Sequence, residues 1–253
     1  MPEPDIIPVT PEPVGPVVEE GYKLMVRPAF WLGWLDTSFK KTPGATTVSL
    51  EDTFDASRFQ AVFPVEVCAR TDSAEFRFRY MFWNETAAHN FGGGFGNIPL
   101  VAGSYEADLN TDILGVDMLY RILDRDSFDL FFSTGADLVS TEFSLSGAGS
   151  VDSIDETVPI ITVGLGLRVR LKDDLSLSLS SSALSYSQLL GMDEEFFGVN
   201  DTYRNIEMSL QWDLYNDANW GVSYKQYDVG FESTRLSVSQ SLKGVAVWYS
   251  RKF

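Results

Sequence analysis

The chain has 253 residues, of which 44% are hydrophobic, and its mean hydropathy is −0.05. These values exclude a disordered chain, and they exclude a helical membrane protein because no stretch approaches the roughly 20 apolar residues that a membrane helix needs. The formal net charge of −17 argues against a nucleic-acid partner, because few cationic groups are present to neutralise a row of phosphates.

Residues 1–21 form a proline-rich segment, since six of the eleven prolines fall within the first sixteen positions. Proline favours an extended conformation and has no amide hydrogen for a sheet, so we predict a tail outside the folded domain. The segment has neither the basic start nor the apolar stretch of a secretory signal, and we expect that such a signal has been removed. The predicted boundaries are 1–21 for the tail and 22–253 for the folded part.

From residue 22 onward, the chain is a succession of runs in which every second residue is apolar. Ten runs lie near residues 22–37, 58–70, 74–85, 105–122, 127–141, 157–171, 174–186, 203–215, 218–229 and 242–253. A period of two is that of a β-strand with its faces in different surroundings, so the sequence predicts an all-β fold of ten strands. In the fourth run the phase slips near residues 111–113, which predicts a β-bulge there.

The connections between the runs alternate in length. Long breaks, such as residues 142–156 and 187–202, follow the odd runs, and short ones, such as residues 172–174, follow the even runs. An antiparallel up-and-down meander with long loops at one end and tight turns at the other produces this order. Transmembrane β-barrels of the bacterial outer membrane have this asymmetry, with short periplasmic turns and long external loops.

A soluble barrel or sandwich is the alternative, because it too alternates apolar with polar residues. The second face of the sixth and seventh runs holds small residues that suit a narrow lumen, namely Gly164, Gly166, Ser176, Ser178, Ser180 and Ser182. The first face ends in aromatic residues where a membrane interface is expected, namely Trp34, Trp212, Trp220 and Tyr249. We therefore predict an antiparallel transmembrane β-barrel of ten strands, with eight and twelve as the alternatives.

The chain ends in VAVWYSRKF, in which apolar residues alternate before a final phenylalanine. This ending, with a glycine further back, resembles the terminal β-signal of Gram-negative outer-membrane proteins. The positions that carry the resemblance are Gly244, Val247, Tyr249 and Phe253. It implies an outer-membrane location, contact with lipid and lipopolysaccharide, and recognition of the last strand by the barrel-assembly machinery. If that strand ends on the periplasmic side, an even strand count puts residues 1–21 there too.

The alternation also assigns charged residues of both signs to the inward face. They are Arg27, Glu66, Arg70, Glu75, Arg77, Arg79, Asp117, Arg121, Asp129, Asp137, Arg168, Arg170, Glu207, Asp213 and Lys225. A barrel of about eight to ten strands is just wide enough to be filled by its own side chains, so we predict that these charges pair and close the lumen. A selective pore is the alternative. Cys68 falls on the same face and is predicted to be a packed thiol.

His89 is the only histidine and the only candidate for a catalytic base, and the sequence places it in the second long loop. No serine or aspartate forms a recognisable motif with it, and the residue pattern of the omptin proteases, which are small barrels of the outer membrane, is not evident. With one cysteine and one histidine, the usual metal sites are absent as well. We predict no enzyme, no metal and no cofactor.

Two acidic clusters fall in predicted external loops. The first is Asp152, Asp155 and Glu156, and the second is Asp193, Glu194, Glu195 and Asp201. Such clusters either hold divalent cations that bridge to lipopolysaccharide phosphates or are solvated loop tips. The sequence favours a structural or interaction barrel whose external loops or tail contact a protein partner. A narrow diffusion or transport channel is the alternative, and an enzyme acting on lipid or peptide comes last.

Overall fold

A computed structural model describes residues 23–41, 48–49, 58–71, 73–91, 103–147, 150–183, 202–214, 218–232 and 236–253. The predicted tail, residues 1–21, and the second acidic cluster both lie outside these described residues. Every secondary-structure element within them is a β-strand. In the same part of the chain, no helix is long and apolar enough to cross a membrane.

The strands are β1 Lys23–Lys41, β2 Val48–Ser49, β3 Phe59–Val62, β4 Val65–Arg70, β5 Ala74–Phe91, β6 Gly103–Asp124, β7 Phe128–Gly147, β8 Ser150–Lys172, β9 Leu175–Ala183, β10 Thr202–Asp213, β11 Ala218–Glu232 and β12 Leu236–Lys252. From β4 to β12 each strand pairs antiparallel with the next, and β12 pairs with β1 to close the sheet. β2, β3 and β4 all pair with β1 and fill one position, so the closed barrel has ten strand positions. The predicted ten-strand antiparallel barrel is confirmed.

The second position of the wall is interrupted at Pro64, between β3 and β4. Proline has no amide hydrogen to give to the ladder, so regular pairing breaks there. Its carbonyl oxygen is still used, because it accepts a hydrogen bond of 2.9 Å from the backbone amide of Ala29. On the outer surface, the rings of Phe30 and Phe63 pack beside the break with their centroids 5.1 Å apart.

Short connections join the strands at one end of the barrel, which we call the turn side. They are residues 71–73, 125–127, 173–174 and 214–217. The opposite end is the loop side. There β7 and β8 stay paired up to Gly147 and Ser150, so the predicted long loop at 142–156 is wrong. The predicted loop at 230–241 is also too long, because β11 and β12 stay paired up to Glu232 and Ser237.

Two predicted loop features therefore belong to strands. His89 lies in β5 and pairs with Tyr105 of β6, so its placement in a loop is wrong. Asp152, Asp155 and Glu156 belong to β8, so the first acidic cluster is not a loop tip. The predicted strands are shorter than the observed ones because the polarity of their two faces reverses on the loop side.

The reversal is clearest in β6. In the turn-side part of this strand, the outward residues are Leu114, Val116, Met118 and Tyr120, all exposed and apolar or aromatic. In the loop-side part, the outward residues are Glu106, Asp108, Asn110 and Asp112. The inward residues there are buried and mostly apolar, and they include Tyr105, Ala107, Leu109 and Ile113. One strand thus has its apolar face outside at one end and inside at the other.

This reversal explains the apparent slip in the fourth run. The pairing of β6 with β7 is unbroken over residues 105–121, and its register shift comes between Arg121 and Leu123. The bulge predicted at residues 111–113 is therefore wrong. The slip in the sequence marks the level at which the two faces exchange polarity.

Exposed apolar side chains encircle the turn-side part of the barrel and form what we call the lipid belt. Its members include Leu24, Phe30, Leu32, Trp34, Phe76, Phe78, Phe82, Leu114, Val116, Met118, Leu138, Ile161, Leu165, Leu167, Leu177, Leu179, Met208, Trp220, Tyr224, Val245, Val247, Tyr249 and Phe253. In β1 the belt covers residues 24–34, about the length with which a tilted strand crosses a bilayer. Beyond it the outward residues become polar, as at Asp36 and Lys243. The strands therefore project past the belt on the loop side.

Candidate functional site: the lumen of the barrel

Arg79 is the centre of the charged set that fills the turn-side half of the lumen, which we call the turn-side network. Its guanidinium donates hydrogen bonds of 2.8 and 3.0 Å to the two oxygens of Asp137 and lies 3.4 Å from Asp117. Asp137 also accepts a hydrogen bond from the hydroxyl of Tyr203 on β10, and only 2% of Asp137 is exposed. A charge this deeply buried needs such partners to offset its desolvation.

Two glycines make room for this cluster. Gly115 pairs with both Arg79 and Asp137 in the strand register, and a Cβ there would overlap a carboxylate oxygen of Asp137. Gly135 has the same relation to Asp117. A side chain at either glycine would push a carboxylate out of its ion pair.

Glu66 is the centre of a second cluster in the network. Arg27 lies 3.2 Å from one of its carboxylate oxygens, and the Nζ of Lys225 lies 3.7 Å from the other. Lys225 also lies 3.3 Å from Glu207 on the neighbouring strand. The guanidinium of Arg27 stacks over the ring of Trp248, 4.7 Å from its centroid. Each of these charges thus has a partner of opposite sign or an aromatic face.

A third cluster lies at the turn-side mouth. Glu75 accepts a hydrogen bond of 2.5 Å from Arg77 and has Arg70 at 4.0 Å. The side chain of Glu75 is almost completely buried, whereas about a third of that of Arg70 is exposed at the mouth. Ion pairing therefore extends to the end of the barrel but is looser there.

Arg170 ties the mouth to the turn between β6 and β7. It donates hydrogen bonds of 2.8 Å to both oxygens of Asp129 and further ones to the backbone carbonyls of Arg125 and Asp126. At the exposed end of β6, beyond the lipid belt, Asp124 accepts a hydrogen bond of 2.7 Å from Arg121 and lies 3.6 Å from Arg170.

Thirteen of the fifteen residues that were predicted to line the lumen form ion pairs. The other two are Arg168 and Asp213, for which the described residues offer no partner within ion-pair distance. Arg168 lies over the ring of Phe131, and its Nε donates to the hydroxyl of Ser178 at 3.4 Å. Asp213 accepts a hydrogen bond of 2.8 Å from Gln211.

Apolar side chains fill the loop-side half of the lumen, to which sequence analysis assigned no role. This loop-side core consists of Trp31, Leu35, Val62, Met81, Trp83, Ala87, Tyr105, Ala107, Leu109, Ile113, Val139, Phe143, Leu145, Ile160, Tyr203, Tyr227, Val229, Phe231, Val238, Leu242 and Ala246. Within the same half, Gln240 donates a hydrogen bond of 3.0 Å to Thr111, and both residues are buried. Their strands, β12 and β6, are four positions apart in the wall, so this bond crosses the lumen.

Aromatic rings mark the boundary between the network and the core. Tyr203 and Tyr227 meet edge to face with centroids 5.3 Å apart, and Trp83 approaches Tyr227 at 6.2 Å. Sequence reasoning missed the core, although it left a signal: inward apolar residues such as Leu109 alternate there with outward carboxylates such as Asp108. That is the pattern of a soluble barrel.

Among the residues that the structure describes, three cavities border the turn-side half of the lumen. The largest of these three, about 200 Å³, is at the mouth and is bordered by Arg70 and Arg168. The others have volumes of about 40 and 60 Å³, enough for a few water molecules. Arg168 borders the first two cavities and Arg77 borders the second and third. The shared arginines thus place the three cavities one after another, from the mouth toward the loop-side core.

The last strand presents the four residues of the predicted assembly signal. Gly244 faces the lumen opposite Gly33 of β1, and a Cβ on Gly244 would overlap the β1 backbone. Val247, Tyr249 and Phe253 point outward in the lipid belt, and 72% of Phe253 is exposed. The glycine pair lets the first and last strands approach closely where the barrel closes.

Among the described residues, no group of three or more His, Cys, Asp or Glu side chains is placed to hold a metal ion. Cys68 is a free thiol, fully buried on the inward face. The structure describes the backbone of His89 but not its side chain.

No family model matches this chain, and no curated protein matches it. Among solved structures, the outer-membrane protease OmpT of Escherichia coli is similar, with a TM-score of 0.52 and 10% identity over 90% of this chain and 97% of that one. The transport unit of the autotransporter AIDA-I of Escherichia coli has a TM-score of 0.43 and 11% identity over 94% and 92% of the two chains. The outer-membrane protein OprG of Pseudomonas aeruginosa has a TM-score of 0.40 and 11% identity over 92% of this chain and 97% of that one. At these identities the likeness concerns the fold alone.

The closed wall, the lipid belt and the inward charges define a transmembrane β-barrel. Antiparallel barrels of this kind are the form that outer-membrane proteins of Gram-negative bacteria take, and OmpT shares the fold. Outer-membrane barrels have their short turns in the periplasm, a rule that would place the turn side there and the loop side outside.

Proposed function

We propose that the protein is a closed structural or interaction barrel whose lumen does not conduct. The observation that supports this best is the loop-side core, in which side chains as large as Leu109, Phe143 and Tyr227 are buried inside the wall. A pore needs polar side chains along its whole length, because an apolar constriction loses its water and blocks ions.

The turn-side network supports the same proposal. Arg79 of β5 bonds to Asp137 of β7, and Lys225 of β11 pairs with Glu66 of β4, so the ion pairs join strands that are not neighbours. Opening the lumen would separate these partners and leave single buried charges, which is costly.

The strands that project past the lipid belt support a role in binding other molecules. Outward carboxylates on β6, β7 and β8, among them Asp108, Asp112, Glu142 and Asp155, make this part of the outer surface acidic. We propose that it meets lipopolysaccharide or a protein partner, and that residues 1–21 and the external loops offer further contacts. We also propose that the barrel-assembly machinery reads the last strand, and that the protein has no catalytic role.

Single-channel recording in planar bilayers tests the closed lumen. The wild-type protein should give no stable, reproducible conductance steps. Two double variants of β6 provide matched probes: Leu109→Ala with Ile113→Ala removes apolar volume inside, and Leu114→Ala with Val116→Ala removes it outside. Any new conductance should appear only in the inward pair. Stable steps from the wild-type protein would contradict the proposal.

A narrow diffusion channel is the second candidate, because the turn-side cavities lie beside small inward residues such as Gly166 and Ser180. If the protein conducts, charge reversal at Arg168 and Arg170 should change the ion selectivity of that conductance. An unchanged reversal potential would remove the support for a channel through this half.

A further inference from the structure

We propose that the turn-side mouth of the lumen binds a small oxyanion, a carboxylate or a phosphate group. The site is the cavity of about 200 Å³ bordered by residues of β4, β7, β8, β9, β10 and β11. It opens toward the periplasm, on the side of the protein away from the loops. A closed lumen neither requires nor excludes such a site, so the two proposals are tested independently.

Arg168 provides the first group for an anion. It lies partly buried between the mouth cavity and the next one inward, and it has no described carboxylate within 4.0 Å. The ring of Phe131, 5.4 Å away, and the hydroxyl of Ser178, 3.4 Å from the Nε, hold the guanidinium in place. The remaining guanidinium N–H groups are left for a partner in the cavity, and a charged donor forms its strongest hydrogen bonds with an anion.

Arg70 provides the second group. It borders the same cavity, and its ion pair with Glu75 is long, at 4.0 Å, because Glu75 is already bonded to Arg77 at 2.5 Å. Arg170 also borders the cavity but is bonded to Asp129, so Arg70 and Arg168 are the two guanidinium groups there without a described carboxylate closer than 4.0 Å, and they repel each other. An anion bound between them would offset that repulsion, as a carboxylate does elsewhere in the network.

Three carboxylates border the cavity, and neighbouring side chains engage two of them. Asp129 accepts two hydrogen bonds of 2.8 Å from Arg170, which neutralise it. Asp213 accepts a hydrogen bond of 2.8 Å from Gln211. The third, Asp173, is exposed in the turn between β8 and β9. None of the three carboxylates lies within ion-pair distance of Arg168, so the site retains an uncompensated cation.

The geometry points to an oxyanion rather than to a halide. A planar guanidinium donates two parallel hydrogen bonds that match the spacing of carboxylate or phosphate oxygens. The hydroxyl of Ser176 and the amide of Asn219 border the same cavity as further polar groups. The volume suits one small anionic group, either a free anion or the charged end of a larger molecule that remains outside the mouth.

Isothermal titration calorimetry on the full-length protein in uncharged detergent micelles tests this site. Inorganic phosphate and acetate are titrated separately against a constant excess of sodium chloride. We expect saturable binding of at least one of them, with at least tenfold weaker binding in Arg168→Gln. The matched control is Arg204→Gln, which removes a guanidinium from an exposed pair with Asp228 on the outer surface and should leave the affinity unchanged.

Three results would overturn the proposal: no saturable heat with either anion, unchanged affinity in Arg168→Gln, or an equal loss in Arg204→Gln, which would indicate an effect of net charge. Arg168→Lys keeps the charge but loses the planar fork, so it should bind several-fold more weakly. If Arg168→Gln fails to fold by circular dichroism, unchanged affinity in Arg168→Lys overturns the proposal instead. Glycerol phosphate distinguishes the sources: tighter binding than inorganic phosphate supports a lipid headgroup, and equal or weaker binding supports a free anion.

Discussion

The two halves of the lumen share one wall but are held together by different forces. In the turn-side network, Arg79 and Glu66 are centres of buried ion pairs, whereas the loop-side core packs residues such as Leu109 and Phe143 without charge. Outside the first half lies the lipid belt, and outside the second lie polar side chains. The barrel therefore encloses whichever side chains its surroundings would not accept: charges where lipid is outside, and apolar groups where water is outside.

The strongest test of this comparison is to remove the central cation of the turn-side network. Arg79→Leu should lower the free energy of unfolding by about 3 to 5 kcal/mol, because it leaves Asp137 and Asp117 buried without their counter-charge. Urea unfolding in phospholipid vesicles measures the change. Arg204→Leu, which breaks an exposed pair with Asp228, should cost less than about 1 kcal/mol. Equal small effects at both sites would mean that water screens the network.

In the loop-side core, stability should depend on the apolar volume of the side chains and not on their charge. Leu109→Ala should lower the free energy of unfolding by about 3 kcal/mol, since Leu109 is fully buried and its removal leaves a cavity. The same unfolding experiment applies, with Glu106→Ala on the outward face of the same strand as the control. A cost at Leu109 no larger than at Glu106 would show that this half is hydrated and not a packed core.

On the outer surface, a new charge should be costly in the turn-side part and tolerated in the loop-side part. Val116→Arg places a charge in the lipid belt and should cost about 2 kcal/mol near the bilayer centre. Glu106→Arg, on the same outward face but beyond the belt, should be nearly neutral because that surface is solvated. Unfolding free energies in vesicles compare the two variants. If both are neutral, the belt does not contact hydrocarbon at Val116.

The smallest expected effect is a gain in stability. Glu142 on β7 lies directly opposite Asp155 on β8, and both are exposed, so two like charges face each other. Glu142→Gln should raise the free energy of unfolding by about 0.5 kcal/mol at low ionic strength. The gain should disappear in high salt, because exposed charges are screened there. Glu106→Gln is the control, since Glu106 faces Ser146 and Ala88. A gain that persists in salt would have another cause.

The wall of the barrel could be predicted because its information is local. A period of two and short polar turns determine antiparallel strands, and phase alone assigned residues such as Arg79 and Asp137 to one face. The partners could not be predicted in the same way. Lys225 meets Glu66 only because closure of the barrel brings β11 and β4 near each other. The residues next to Lys225 or Glu66 in the chain carry no information about this pairing.

The loop-side half was misread for a different reason. Alternation shows that a strand has two faces, but it does not show which one is inside. In β6, Asp108 and Leu109 alternate as regularly as Val116 and Asp117, and only the change of surroundings from water to lipid decides their orientation. Because the sequence reading assumed lipid outside throughout, it ended strands where the outward residues became polar and inferred a bulge where the faces exchanged.

The hairpin of β7 and β8 extends well beyond the membrane. From Leu138, an outward member of the lipid belt, β7 continues to Gly147. At about 3.3 Å per residue and a tilt of about 40°, this stretch rises roughly 20 Å above the hydrocarbon, farther than a headgroup layer is thick. The apolar core packed inside this part of the barrel supports its walls. A molecule that approaches from the loop side therefore meets a rigid, polar surface well above the lipid headgroups.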